Sequence, residues 1–146
     1  MTARDLIQKH EGLSLKAYRD QLGNWTVGYG TLIADRSISH SLSKGGRLEI
    51  DQEMAEHLLD QGLQTARVVL KGYVGKVDGS AREAALLSMA YNLGGRLHGF
   101  HRMRLAIASK DWGRAADEAL DSKWSGQVRG RAKEIAKMLR TNRFPA

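Results

Sequence analysis

The sequence predicts an α+β fold, mostly helical, with a small sheet near the N-terminus. Two contrasting patterns carry that expectation. From Leu13 to about Ile33 apolar and polar residues alternate in short runs between glycines, which suits strands and tight turns. From Asp51 onward apolar residues recur at helical spacing in one long stretch and then in several shorter ones. Strands gathered at one end and helices at the other point to segregated layers rather than to an alternating parallel sheet.

Taken in order, Thr2 followed by Asp5 reads as a capping box opening a helix over residues 2–10, with Leu6 and Ile7 on its apolar face and Gly12 ending it. Glu11 then lies at the helix C-terminus, where the negative end of the macrodipole disfavours a carboxylate and tends to raise its pKa. Leu13, Leu15 and Ala17 alternate with Ser14 and Lys16 as a first strand, Asp20 to Asn24 form a turn, and Trp25 to Tyr29 form a second strand. Gly23, Gly28 and Gly30 allow backbone conformations that other residues resist. The polar residues 34–46 read as a long loop or an irregular lobe edge.

Asp51 caps a helix over about 51–71, with Glu53 in its first turn and apolar positions Met54, Leu58, Leu59, Leu63, Ala66, Val69 and Leu70. Such a helix reaches about 30 Å and can join two lobes. Ser80 and Glu83 predict a second capping box, opening a core helix over 81–93 that ends at Gly94 and Gly95. A turn over 97–100 and helices over 102–109, 112–120 and 127–139 complete the chain, with Asp111 as the cap of the second. The expected organisation is one domain over 1–146: a sheet lobe (about 12–50), the connecting helix, and a helical lobe (about 72–146) that also takes the helix 2–10.

Composition narrows the function. The 146 residues can bury about 70% of the surface the unfolded chain exposes. With 42% hydrophobic residues and a single proline, a folded core is expected rather than disorder. No apolar run approaches the roughly 18 residues needed to span a bilayer. The charged N-terminus lacks the apolar segment of a secretory signal. With no cysteine there is no disulfide or thiolate metal site, and the five histidines lack ligand spacing, so neither metal nor cofactor is expected. The net charge of +7 suits an anionic partner, whether nucleic acid, membrane surface or bacterial wall. Nucleic-acid motifs and aromatic platforms are absent, so that reading rests on charge alone.

Chemistry concentrates in residues 11–26, where Glu11, Asp20 and Thr26 lie on short turning segments. Glycoside hydrolysis uses one protonated carboxyl at the leaving oxygen and a second carboxylate to activate water or attack the sugar. Glu11 at a helix end and Asp20 in a polar turn sit in environments that separate two such roles. Residue type alone leaves other roles open. Thr26 also suits a strand, Trp25 and Tyr91 also suit a core, and Asn92 serves equally as a helix-end cap or a sugar contact.

Glu11, Gly12, Leu13, Lys16, Ala17, Tyr18, Asp20, Trp25, Thr26, Gly28, Tyr29 and Gly30 together resemble the signature of phage-type lysozymes, the endolysins of glycoside hydrolase family twenty-four. A looser likeness covers the long helix, the segment Met89 to Gly94, and Trp112 to Trp124 with Arg131. The resemblance implies a lysozyme-like fold and a muramidase that cuts the β-1,4 bond between N-acetylmuramic acid and N-acetylglucosamine with inversion. Glu11 would be the acid, Asp20 the base and Thr26 the hydroxyl that positions water, with the carboxyls about 6.5–9.5 Å apart. Tyr29, Gly30, Leu32, Tyr91 and Asn92 would contact substrate. The implied partners are peptidoglycan and the anionic envelope. The protein would act as a monomer, held in the host cytoplasm until a holin opens the way to the wall.

Two rival readings remain. A lytic transglycosylase would cut the same bond without water, and a wall-binding module would keep the cleft without catalysis. Asp20 with Thr26 speaks against the first, and the complete set of three against the second. The chain departs from the resemblance at Thr31, where a well-known member has a histidine, and at His101 to Arg104, where many relatives carry a serine or threonine, so the resemblance does not extend to the far subsites.

Overall fold

The computed structural model describes residues 1–33, 45 and 47–146. The stretch 34–46 read as a loop therefore lies, apart from Gly45, outside the described residues. Helix α1 (Ala3–Glu11) begins with the expected capping box, in which the Thr2 hydroxyl accepts from the Asp5 amide and the Asp5 carboxylate accepts from the Thr2 amide. It ends at Gly12, whose φ of +67° and amide bond to the Gln8 carbonyl close the last turn. Leu6 and Ile7 are fully buried, each contributing roughly 1.5–3 kcal/mol of transfer free energy.

A three-stranded antiparallel sheet follows, in the order β1 (Ser14–Arg19), β2 (Trp25–Gly28), β3 (Thr31–Leu32). Tyr18 and Leu32 flank Thr26 on either side, and the register slips between Ser14 and Tyr18. The apolar face expected of Leu13, Leu15 and Ala17 does not form. Leu13 and Leu15 are exposed, and no residue of β1 is buried. The burial of the sheet is concentrated in β2, which packs on the long helix, while the free edge of β1 takes hydrogen bonds with Leu48 and Ile50. The β1 pattern reflects strand propensity without a covered face.

Helix α2 (Gln52–Val74) is capped by Asp51, whose carboxylate accepts from the Met54 amide. At 23 residues it runs about 34 Å, three residues beyond its expected end. Its buried stripe is Ala55, Leu59, Leu63, Ala66, Leu70 and Tyr73, whereas Met54, counted as apolar face, is exposed. Gly62 brings α2 close to Tyr91, because a Cβ there would stand 2.6 Å from Tyr91 Cε2.

Helix α3 (Ser80–Leu93) is the centre of the core, with nine of its fourteen residues buried and neighbours in α1, α2 and a C-terminal helix. Its expected Ser80–Glu83 capping box is absent, and Gly79 is the N-cap without a side-chain bond. The first turn is satisfied from elsewhere in the fold: the Arg82 amide donates to Asn142 Oδ1 at 3.3 Å. A 3-10 segment (Gly94–Gly99) leads into α4 (His101–Ala108) and α5 (Trp112–Leu120), the latter capped by Asp111 as expected. The last predicted helix is two. A short α6 (Lys123–Gln127) and α7 (Arg129–Thr141) are separated at Val128, whose φ of −132° and ψ of 50° interrupt the helix. No helix among the described residues is long and apolar enough to cross a membrane.

Candidate active site

Glu11 and Asp20 line one cleft of about 610 Å³, together with Thr26, Gly30, Leu32, Tyr91 and Asn92. A hollow of about 680 Å³ beside it shares Arg96, Trp124 and Gln127 but holds neither of the two acids.

The end of α1 delivers Glu11 to this cleft. Its side chain is only 10% exposed, and Oε1 accepts from Arg131 Nη1 at 2.7 Å. The guanidinium therefore opposes the negative field of the helix end. Gly30 packs directly under the carboxyl: a Cβ there would be 2.7 Å from the Glu11 carboxyl carbon. With φ of +73°, the residue is doubly suited to glycine.

Asp20 closes the turn between β1 and β2. Its Oδ1 accepts from the amides of Leu22 and Asn24, both at 2.9 Å, while its own amide donates to the Asn24 carbonyl at 2.9 Å. Among the described residues Oδ2 has no hydrogen-bond partner, so one oxygen is anchored and the other is available. Thr26, 2% exposed in the middle strand, donates through Oγ1 to the Asn24 carbonyl at 3.0 Å. The hydroxyl retains its capacity to accept. Tyr18 connects the two acids electrostatically. Burial pushes its phenol up, and the negative Glu11 and Asp20 push it further.

The remaining candidates divide. Leu32 is exposed on β3, and Asn92 has a free amide group among the described residues because only its Oδ1 is engaged, accepting from Trp124 Nε1 at 2.7 Å. Tyr91 faces the cleft but also packs: its hydroxyl donates to the Tyr29 carbonyl at 2.6 Å. Burial, then the charge of Glu11, pushes that phenol up to about 12. Tyr29 is a correction. Its side chain is buried in the core, where its hydroxyl accepts from Gln52 Nε2 at 3.0 Å, because the residue after the positive-φ Gly28 turns inward toward α2.

Sequence reasoning missed what holds Glu11. Arg131 from α7 is 8% exposed and donates to Ser88 of α3 three times, to Oγ from Nε (3.3 Å) and Nη2 (3.0 Å), and to the backbone carbonyl from Nη2 (3.2 Å). A signal was present. Arg131 falls four residues before buried Ile135, and Ser88 four after buried Ala84, so both stand on apolar helix faces where an unpaired polar group is costly. Among the described residues no group of three or more His, Asp or Glu could hold a metal ion.

A family model described as phage lysozyme matches residues 8–142. The chain belongs to the phage lysozyme family. It is 30% identical over 160 residues to the pre-baseplate central spike protein of Enterobacteria phage T4, covering 97% of the chain and 28% of that protein. It is 25% identical over 159 residues to a probable T4-type lysozyme of Dictyostelium discoideum, covering 94% and 93% of the two. Over 89 residues it is 33% identical to an endolysin of Acyrthosiphon pisum secondary endosymbiont phage 1, with 61% and 55% covered. The chain thus spans less than two thirds of the spike protein and of that endolysin. Its α+β lysozyme-like fold, with a three-stranded sheet beside a helical remainder, accords with the family.

Proposed function

We propose that the chain hydrolyses the β-1,4 bond between N-acetylmuramic acid and N-acetylglucosamine with inversion, as one domain whose two lobes are joined by α2. Glu11 gives a proton to the leaving glycosidic oxygen as the bond to the anomeric carbon breaks. Asp20 takes a proton from the water that attacks that carbon from the opposite face, and Thr26 accepts a second hydrogen bond from the same water. The observation carrying this reading is the divided carboxylate of Asp20: two backbone amides fix Oδ1, and Oδ2 has no hydrogen-bond partner among the described residues, in the cleft that also holds Glu11. Leu32 and the amide of Asn92, free among the described residues, are the proposed substrate contacts beside them, with Gly30 shaping the floor.

Mass spectrometry of peptidoglycan fragments, with NMR of the newly released anomer, tests the reaction. Hydrolysis gives reducing ends, and inversion gives the α-anomer first. Asp20→Ala should lower the rate by at least about 10³-fold. Anhydro ends with full activity in Asp20→Ala would instead mean a transglycosylase.

We further infer that the protein serves phage-mediated lysis as a monomer, reaching the wall from the host cytoplasm through holin lesions, with its +7 charge drawing it to the anionic envelope. The likeness to a spike protein favours a second reading, a lysozyme domain carried on the virion. Fractionation separates the two: the first keeps the protein in the cytoplasmic fraction until holin expression releases it, the second puts it in purified particles.

A further inference from the structure

Behind Arg131 lies a chain of buried polar groups that the proposed reaction does not use. His10, on the apolar face of α1 three residues after buried Ile7, is 5% exposed. Its Nδ1 is 2.7 Å from Ser88 Oγ and its Nε2 is 2.9 Å from Glu134 Oε1. Ser88 is fully buried. Glu134 also accepts from Lys9 Nζ at 3.0 Å through Oε2. The charged groups around the imidazole are therefore Lys9 and Glu11 from its own helix and Arg131 and Glu134 from α7, with uncharged Ser88 facing it from α3.

Counting donors fixes the protons. Arginine can only donate, and Arg131 Nε and Nη2 both point at Ser88 Oγ, which occupies the two lone pairs of that oxygen. The serine hydrogen is then left to His10 Nδ1, which must be unprotonated. Nε2 carries the ring proton and donates it to the Glu134 carboxylate. Every group in the chain is satisfied in this one arrangement. A second proton on the imidazole would set Nδ1–H against an oxygen that already accepts two bonds, and one Arg131 bond would have to break.

We propose that His10, acting through Ser88, is a positioning residue for Glu11: the neutral imidazole orients the serine hydroxyl so that it holds Arg131, and Arg131 holds Glu11 Oε1. This rests on the reading of Glu11 as the acid. The neutral ring also fits its surroundings. Burial holds the His10 pKa below its ordinary value and Arg131 lowers it further, which outweighs the opposing pull of Glu134. Lowering the pH until the ring takes a proton therefore loosens Arg131 and misplaces the Glu11 carboxyl.

The test measures kcat and KM against pH on a soluble peptidoglycan oligomer, while ¹⁵N NMR follows the His10 ring. At neutral pH the spectrum should show the Nε2–H tautomer, and the acid limb of kcat should share its midpoint with the ring titration. Ser88→Ala should lower kcat about tenfold with KM within twofold, and should uncouple the limb from the ring. His10→Gln should move the limb to lower pH by at least one unit. An Nδ1–H tautomer, or a limb with the same midpoint in Ser88→Ala, overturns the proposal even where His10→Gln fails to fold. Glu11→Gln is the companion measurement. If it still hydrolyses, the catalytic reading is wrong; if it is inactive while Ser88→Ala keeps the parental profile, only the positioning role fails.

Discussion

Gly30 is the residue on which the Glu11 geometry turns most sharply. Its φ of +73° disfavours any side chain, and a Cβ would press on the Glu11 carboxyl carbon at 2.7 Å. Gly30→Ala should therefore lower kcat about 10²-fold through displacement of the carboxyl, while costing about 1–2 kcal/mol in stability. Steady-state kinetics beside thermal melts check it, and a folded Gly30→Ala with parental kcat would show that the carboxyl need not sit where it does. Glu11, Asp20 and Thr26 were legible in the sequence as candidates because their types and spacing suit such chemistry. Arg131, Ser88 and His10 were not, although each stands on an apolar helix face. Such a position says that a polar group must be satisfied but not by which partner.

Between elements, the contact of α2 with α3 rests on a glycine in a helix interior. An alanine at position 62 would gain about 1 kcal/mol of helix propensity, yet its Cβ would stand 2.6 Å from the ring of Tyr91, which is pinned by its bond to the Tyr29 carbonyl. Overpacking costs about 1–3 kcal/mol, so Gly62→Ala should destabilise. In a Tyr91→Ala background the same substitution should stabilise, and denaturant titration of the double-mutant cycle reads that reversal. The helices themselves were largely foreseen. Their caps were foreseen only where the capping group is local, as at Thr2, Asp51 and Asp111. The start of α3 is covered instead by Asn142, sixty residues away, and Arg82 in turn donates to the Leu139 and Arg140 carbonyls at the end of α7.

For the whole molecule, buried His10 links stability to pH. Its folded pKa lies below the unfolded value of 6.5, so the unfolded chain binds the proton more readily. Stability from this group is full above pH 6.5 and is lost as pH falls through the depressed folded value. A second loss follows at lower pH. Burial opposes ionisation of Glu134, but its bonds from Lys9 and His10 prevail and hold its pKa below 4.5, so its contribution fades as pH falls through that depressed value. Melting temperatures should fall in two steps on acidification, and His10→Gln should remove the upper one. An unchanged upper step in His10→Gln would assign it to another group.

The sequence by itself determined the α+β class, most helix positions and the three residues proposed to act on the glycosidic bond. Periodicity, local caps and the chemistry of side chains are short-range properties, and they are written within a few residues of where they act. Only the tertiary structure decided that Glu11 faces a guanidinium, that Tyr29 belongs to the core, and that Leu13 and Leu15 stay exposed. It also brought His10, Ser88 and Arg131 together from three helices. Those outcomes depend on which faces meet across 78 and 120 residues of chain, a matter of packing that no local pattern encodes.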